Sequence, residues 1–334
     1  MEFYYQFLSS KNQKIYRIIE RGLKNYQKSI LLVGCFAGPY ATELIKLVNY
    51  DHPELFYVDY STLVYLQGTL GVTYHPDYTL PSSQIRNVEA VLQSQAAKIL
   101  EKMHANRVES PYAKVRWIHN YLIRYIKYNY ESLQLPKASA HNIQGVLQEK
   151  SAVCEGIAKT FLYLCDQEDI SAALIIGSAD SGEMGFDGSS MLHAWNLVKL
   201  EDVWYHIDST FDLCQSQAVN ANRYDYFCIS DADMMRDHTF EKKVKCPSNE
   251  KSYFSQTGCL VKNANDVRNY VQKKLSEGKK ILYFKIVANA ASMDTVLNKV
   301  MAIVQKTLRS NGCQNAYRYY YNNAQGILYI KLID

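Results

Sequence analysis

Three side chains have the types and the spacing for nucleophilic acyl transfer: Cys154, His193 and Asp208. Cys154 falls where the loop 148–153 gives way to an apolar-periodic stretch, which predicts a helix from Cys154 to about Asp166. A thiol at a helix N-terminus meets unpaired N–H groups and the positive end of the dipole, and both favour thiolate. His193 opens the run Leu192-His193-Ala194-Trp195-Asn196, and Asp208 closes Trp204-Tyr205-His206-Ile207-Asp208. The two runs read as a hairpin turning at Glu201-Asp202, with His193 opposite Thr210 and Trp195 opposite Asp208. His193 and Asp208 are then diagonal neighbours on one face, within reach of each other. A slip of one residue would send them to opposite faces. The chemistry is that of a Cys nucleophile, a His that takes and returns its proton, and an Asp that fixes the imidazole tautomer.

The elements around these residues predict how they are held. Within 107–245, residues 112–126 form an amphipathic helix with Val115, Ile118, Leu122 and Ile126 on one stripe. The helix at Cys154 turns Ile157, Phe161 and Leu164 inward, and strands follow at 172–176, 194–199, 203–207 and 226–229. One helix followed by a meander predicts an α+β, papain-like core, a helix against an antiparallel sheet, rather than a parallel sheet. Before it, helices at 11–27 and 41–49 alternate with strands at 29–33, 55–60 and 70–74, and a long helix runs from Pro81 to about 103. After it, helices at 263–276 and 293–308 alternate with strands at 281–287, 317–321 and 327–332. Both flanks read α-β-α-β-β. The expected organisation is a central catalytic domain, 107–247, between two small α/β domains, 1–106 and 248–334.

Composition narrows the function classes. The 334 residues carry 37 Lys+Arg against 33 Asp+Glu, a net charge of +4 that makes no case for nucleic acid or a membrane surface. With 48% hydrophobic and 21% charged residues the chain is globular, and it has no apolar run long enough to span a bilayer. None of the eight Cys forms a C-x-x-C pair or a zinc spacing with His, so buried free thiols are expected and no metal or other cofactor is implied. Tyr outnumbers Phe 28 to 11, which suits half-exposed strands beside a groove for extended polymer.

The run Ser151-Ala152-Val153-Cys154-Glu155-Gly156-Ile157-Ala158-Lys159, then His193-Ala194-Trp195-Asn196, then Trp204 through Asp212, resembles the transglutaminase-like superfamily, and bacterial transglutaminase-like domains most closely. Val115 to Leu122, Ile126-Lys127-Tyr128, Tyr224 to Phe227 and Asp237-His238-Thr239-Phe240 fit the same domain, so the resemblance covers about 110–245. It departs at Ile157, where the family usually has an aromatic residue, and at Phe211, where Trp is common. The resemblance implies Cys154, His193 and Asp208 as the triad of a thiol acyltransferase. Its expected reaction forms a thioester from a protein glutamine carboxamide and passes it to an amine or to water. A cysteine peptidase or amidase is the alternative, and a binding or adhesion module on the same fold is the other. The expected partner is a protein or peptide substrate, with no nucleic acid. The N-terminus has no signal-peptide pattern; the bacterial relatives are often exported, so a secreted or cell-surface location is expected, with the cytoplasm as the alternative.

Other candidates have plainer roles. Trp117 lies where transglutaminases proper place an oxyanion-binding indole, but within the 112–126 helix it is expected to pack in the core. The Cys154 backbone N–H is the expected oxyanion donor. Trp195 is expected beside His193, Asn196 as an anchor of its strand, His206 as a surface or half-buried residue and Lys159 as solvated. The segment 177–190, rich in glycine and small residues, is expected as a loop gating the cleft. Its carboxylates lack the spacing of a calcium loop. Lys242, Lys243 and Lys245, with Lys273, Lys274, Lys279 and Lys280, are expected on solvated faces.

Overall fold

The computed structural model describes residues 2–180, 182, 188–287, 293–313 and 316–333. The chain opens with α1 (Ser10–Lys24), β1 (Ile30–Val33), α2 (Gly38–Asp51), β2 (Val58–Gln67), β3 (Gly71–Tyr78) and α3 (Ser82–Ala105). The strands pair antiparallel in the order β1-β3-β2. Next come α4 (Pro111–Tyr125), β4 (Lys127–Tyr128), a π-helical turn at Gly145–Glu149, β5 (Ser151–Ala152) and α5 (Cys154–Asp166). The strands β6 (Ala172–Asp180), β7 (Ser190–Leu200) and β8 (Val203–Ile207) lead into α6 (Ser209–Val219), then β9 (Phe227–Ile229), α7 (Asp231–Met234) and β10 (His238–Phe240). Their sheet is antiparallel throughout, in the order β10-β6-β7-β8-β9. The chain then runs through α8 (Tyr253–Thr257), β11 (Leu260–Val261), α9 (Ala264–Ser276), β12 (Ile281–Ile286), α10 (Met293–Ser310), β13 (Tyr317–Asn322) and β14 (Ile327–Leu332). These strands make a third sheet, β11-β12-β14-β13.

The core is thus a helix against an antiparallel meander, as the patterning predicts. Ile157, Phe161 and Leu164 are fully buried on the inner face of α5. Each such side chain contributes about 1.5–3 kcal/mol on leaving water. The hairpin has the expected register: Asn196 faces Ile207 and Leu200 faces Val203 across Glu201-Asp202. Both turn residues have positive φ, 49° and 65°, the pattern whose twist matches the flanking strands. Asn196 anchors more than its strand, because its Nδ2 donates to the carbonyls of Ala158 on α5 (2.9 Å) and Ala173 on β6 (3.2 Å).

Several expectations need correction. The segment 177–190 is not one loop: β6 runs through Asp180 and β7 starts at Ser190, the two pairing Asp180 with Ser190. The remainder of the expected gating loop, 181 and 183–187, lies outside the described residues. Helix α6 has no apolar stripe to announce it in the sequence, because its buried residues run all round it. Lys159 is buried, its Nζ donating to Asn49 Oδ1 and Glu155 Oε1, both at 2.8 Å. All eight Cys are free thiols. Among the described residues no helix is long and apolar enough to cross a membrane.

The start of α5 is fixed by a close backbone approach. A Cβ on Gly156 would run into the carbonyl oxygen of Ala140, and Val153 N donates to the same oxygen (3.1 Å). Gly156→Ala is therefore expected to push the first turn of α5 off this bend. The expected loss is about 3 kcal/mol, the scale of overpacking in a tight interior, read from the urea midpoint of unfolding.

Candidate active site

Cys154 is the first residue of α5, and its cap, Val153, makes no side-chain hydrogen bond to the helix end. The N–H groups of this first turn are left to whatever enters in front of them. The thiol is half-exposed and lines a groove of about 690 Å³. One wall comes from α5 and β7, with Lys159, Met191 and His193; the other comes from the N-terminal layer, with Tyr50, Phe56 and Tyr60. The groove therefore runs between the central sheet and α2-β2. Asn142 helps to hold that junction, its Nδ2 donating to the Phe56 carbonyl (3.0 Å).

His193 sits on β7 and is 2% exposed. Its Nε2 lies 2.6 Å from Asp208 Oδ2, so that nitrogen carries the proton it donates. Nδ1 is left without a hydrogen-bond partner and is the atom available to the thiol. Burial alone would lower the His193 pKa; the Asp208 carboxylate, with a smaller contribution from Cys154, reverses this and raises it to about 10. The ring stacks on Trp195, with centroids 5.8 Å apart and planes at 20°.

Asp208 ends the β7-β8 hairpin and caps α6. Its Oδ1 accepts from Thr210 N (2.9 Å) and Phe211 N (3.0 Å), an arrangement that contributes about 1 kcal/mol to a helix. Burial pushes its pKa up, but His193 and His238 together hold it well below the usual carboxylate range. The side chain is thus a buried anion fixed by four donors.

His238 is the residue that sequence reasoning placed only in the tail of the domain. It opens β10, which pairs with β6 and so lies two strands from His193. Its Nε2 is 3.1 Å from the same Asp208 Oδ2, and its Nδ1 is 2.6 Å from Asp237 Oδ1. Both nitrogens face carboxylates, so both carry protons and the ring is an imidazolium. Burial opposes that charge, and the two carboxylates overcome it and raise the pKa. Asp237 is held in turn by Tyr226 Oη (2.6 Å) and Gln325 Nε2 (3.2 Å), while Asn322 Nδ2 donates to Tyr226 Oη (3.0 Å). The Asp-His pair at 237–238 was the available signal, but only the β10-β6 pairing shows that it turns toward Asp208. His238→Gln keeps a donor for Asp208 and removes the charge. The expected result is a loss of roughly tenfold in turnover, the scale at which orienting partners act, with the alkaline limb of the rate profile moved upward as His193 loses a neighbouring cation.

The remaining candidates fall into place around this centre. Trp195 does pack beside His193, and its Nε1 donates to His206 Nδ1 (3.1 Å). His206 is not at the surface but 1% exposed, and its Nε2 lies 2.9 Å from Asp231 Oδ1. It therefore fixes the indole on which His193 stacks. Trp117 is half-buried and does not line the Cys154 groove; it faces a separate cavity with Tyr121 and Lys150. Among the described residues, three sets of side chains have metal-like clustering: His193-Asp208-His238, His206-Asp231-Cys246 and Glu2-Glu20-His52. In the first, Nε2 of each imidazole already donates to Asp208. In the second, a metal on His206 Nε2 would force a proton onto Nδ1, against the Trp195 N–H. In the third, Arg17 and Lys24 supply the positive charge.

Residues 99–209 match the transglutaminase-like superfamily, a span that includes Cys154, His193 and Asp208. Kyphoscoliosis peptidase from Mus musculus is 26% identical over 177 residues, 48% of this chain and 25% of that protein. The match thus spans about a quarter of the relative's length. A TGase crystal structure shares 13% identity over 55% of this chain and 50% of its own, with a TM-score of 0.32.

Proposed function

From the premise that residues 99–209 form a transglutaminase-like core, we propose that the protein is a cysteine-dependent acyltransferase. Its donor is a glutamine carboxamide of a protein or peptide, and its triad is Cys154, His193 and Asp208. The catalytic domain is 107–247, and 1–106 and 248–334 are flanking domains. The observation that carries the reading is that Cys154 and His193 line one groove while His193 Nε2 is committed to Asp208.

The chemistry follows from that commitment. Because Asp208 raises the His193 pKa, the thiol proton rests on His193 Nδ1 before attack, and the Cys154 thiolate attacks the carboxamide carbon. The oxyanion forms in front of the first turn of α5, where the Cys154 N–H can donate to it. His193 returns the proton to the departing nitrogen, ammonia leaves, and the acyl group remains as a thioester. An amine or water then attacks the thioester carbon, giving its proton to His193, and the sulfur leaves as thiolate. Asp208 keeps the imidazolium favourable at each transfer.

A cysteine peptidase is the second reading, favoured by the name of the mouse relative. The same thioester would then form with an amine leaving from a cleaved peptide bond. One incubation separates the two: a casein-type protein with a labelled primary amine, followed by mass spectrometry. Label at glutamine, or glutamine converted to glutamate, supports the transferase; new chain ends support the peptidase. No modification of any kind, with Cys154 reacting no faster than a model thiol toward iodoacetamide, would sink both.

A further inference from the structure

Trp117, which the acyl-transfer site does not use, belongs to a second cavity of about 390 Å³, within the size range of small-molecule sites. None of its wall residues lines the Cys154 groove. Trp117, Tyr121 and Tyr125 follow one another at four-residue spacing along α4 and give the wall an aromatic face, with Tyr121 and Tyr125 ring centroids 5.2 Å apart. Tyr125 is 62% exposed, a large aromatic ring left facing water.

The charge around that face is of one sign. Lys102 from α3, Arg124 from α4 and Lys150 from the turn before β5 all reach the cavity, and its wall contains no carboxylate. Elsewhere Lys24, Lys114, Lys137 and Lys159 each pair with a glutamate. Among the described residues Lys102, Arg124 and Lys150 make no ion pair. Arg124 uses Nε on Asn222 Oδ1 (2.9 Å), and its terminal amino groups are the part of the fork left to face a ligand. Lys150 is drawn in by Tyr121 Oη (2.9 Å) and the Leu147 carbonyl (3.0 Å).

The backbone here is also unusual. Lys150 has φ 57° and ψ 25°, a left-handed conformation that a side chain other than Gly, Asn or Asp seldom adopts. It ends a single π-helical turn, a form that recurs at functional sites. The same residue's carbonyl accepts from Lys127 N (2.9 Å), starting the β4-β5 pairing that leads into Cys154.

We propose that this cavity binds a small organic anion with a flat aromatic body. The ring would stack on the indole and phenol faces, and the anionic group would sit between Arg124 and Lys102, with Lys150 closing the inner end. The aromatic wall selects the ring, and three cations without carboxylate partners select its charge. The inference is independent of the acyl-transfer reading.

Calorimetric titration of the full chain at low ionic strength with phenyl phosphate tests it, with inorganic phosphate and benzylammonium as the two halves of the recognition. Phenyl phosphate is expected to bind at one site, inorganic phosphate at least tenfold more weakly, and benzylammonium not measurably. Arg124→Gln and Lys102→Gln change exposed side chains and leave the fold intact; each is expected to weaken phenyl phosphate about tenfold. Trp117→Leu is expected to bring its affinity down to that of inorganic phosphate. Cys154→Ala is expected to bind as the parent does. The proposal is overturned if phenyl phosphate shows no saturation by about 10 mM. It is equally overturned if benzylammonium binds as tightly, or if the Arg124 and Lys102 variants bind unchanged.

Discussion

Cys154→Ala is expected to lower amine incorporation or hydrolysis by about 10⁴-fold or more, because no other side chain in the groove can form the thioester. Cys154 is the one thiol lining that groove. Six of the other seven cysteines are buried, and Cys313 is half-buried in another layer of the molecule. Burial also pushes several of those thiols up: Cys214 to about 12, and Cys165 and Cys228 well above the ordinary thiol value. Brief iodoacetamide treatment of the native protein should therefore add one carbamidomethyl group, lost in Cys154→Ala, by intact-mass spectrometry. Rapid single alkylation that persists in the variant would place the nucleophile elsewhere. The helix end is unaffected by this change, since residue 154 contributes only its backbone to the first turn, and the variant should melt within a few degrees of the parent.

Asp208→Asn is expected to be nearly as costly to turnover, by roughly 10³–10⁴-fold, and far more costly to the fold. The substitution leaves an amide where two imidazole N–H groups need an acceptor, and it strands the His238 charge beside Asp237 alone. Removing one partner from a buried ionic set costs about 3–5 kcal/mol. The pH dependence separates the two effects. His193 is raised to about 10 in the native state, above its ordinary value. Its contribution to stability is therefore complete below about pH 6.5 and disappears as pH rises toward 10. Asp208 is depressed, so its contribution is present above the ordinary carboxylate value and disappears as pH falls below it. In the Asn variant the acid-side loss due to residue 208 should vanish. The alkaline limb of kcat/KM should also fall toward the ordinary histidine range, because burial of His193 is then opposed only by the smaller contribution of Cys154. Thermal melts and rate profiles from pH 4 to 10 read both. An alkaline limb that stays where the parent has it would show that Asp208 does not set the His193 charge.

Much of this centre was legible in the sequence because it depends on local rules. The start of α5 at Cys154 follows from an apolar stripe beginning where a loop ends, and the structure begins the helix at that residue. The diagonal placement of His193 and Asp208 follows from parity about a two-residue turn, and Asn196 opposite Ile207 has that parity. What the sequence concealed depends on contacts between distant strands. His238 reaches Asp208 only because β10 pairs with β6, and nothing near residue 238 encodes that partner. Lys159 looked solvated because its partners divide between the next turn of its own helix, Glu155, and Asn49 on α2, more than a hundred positions earlier. Trp117 had the right chain separation for an oxyanion donor, but the face of α4 that carries it turns toward α3.

The contacts of Asp237 have a consequence for the timing of synthesis. During elongation Cys154, His193, Asp208 and His238 all emerge before Asn322 and Gln325, whose amides steady Tyr226 and Asp237. A nascent chain can thus hold every acid, base and nucleophile of the site while the hydrogen bonds behind His238 are still missing. Full activity would be acquired after the β13-β14 hairpin closes against the older core, so a reactive thiol would be armed late, when the protein around it is already folded.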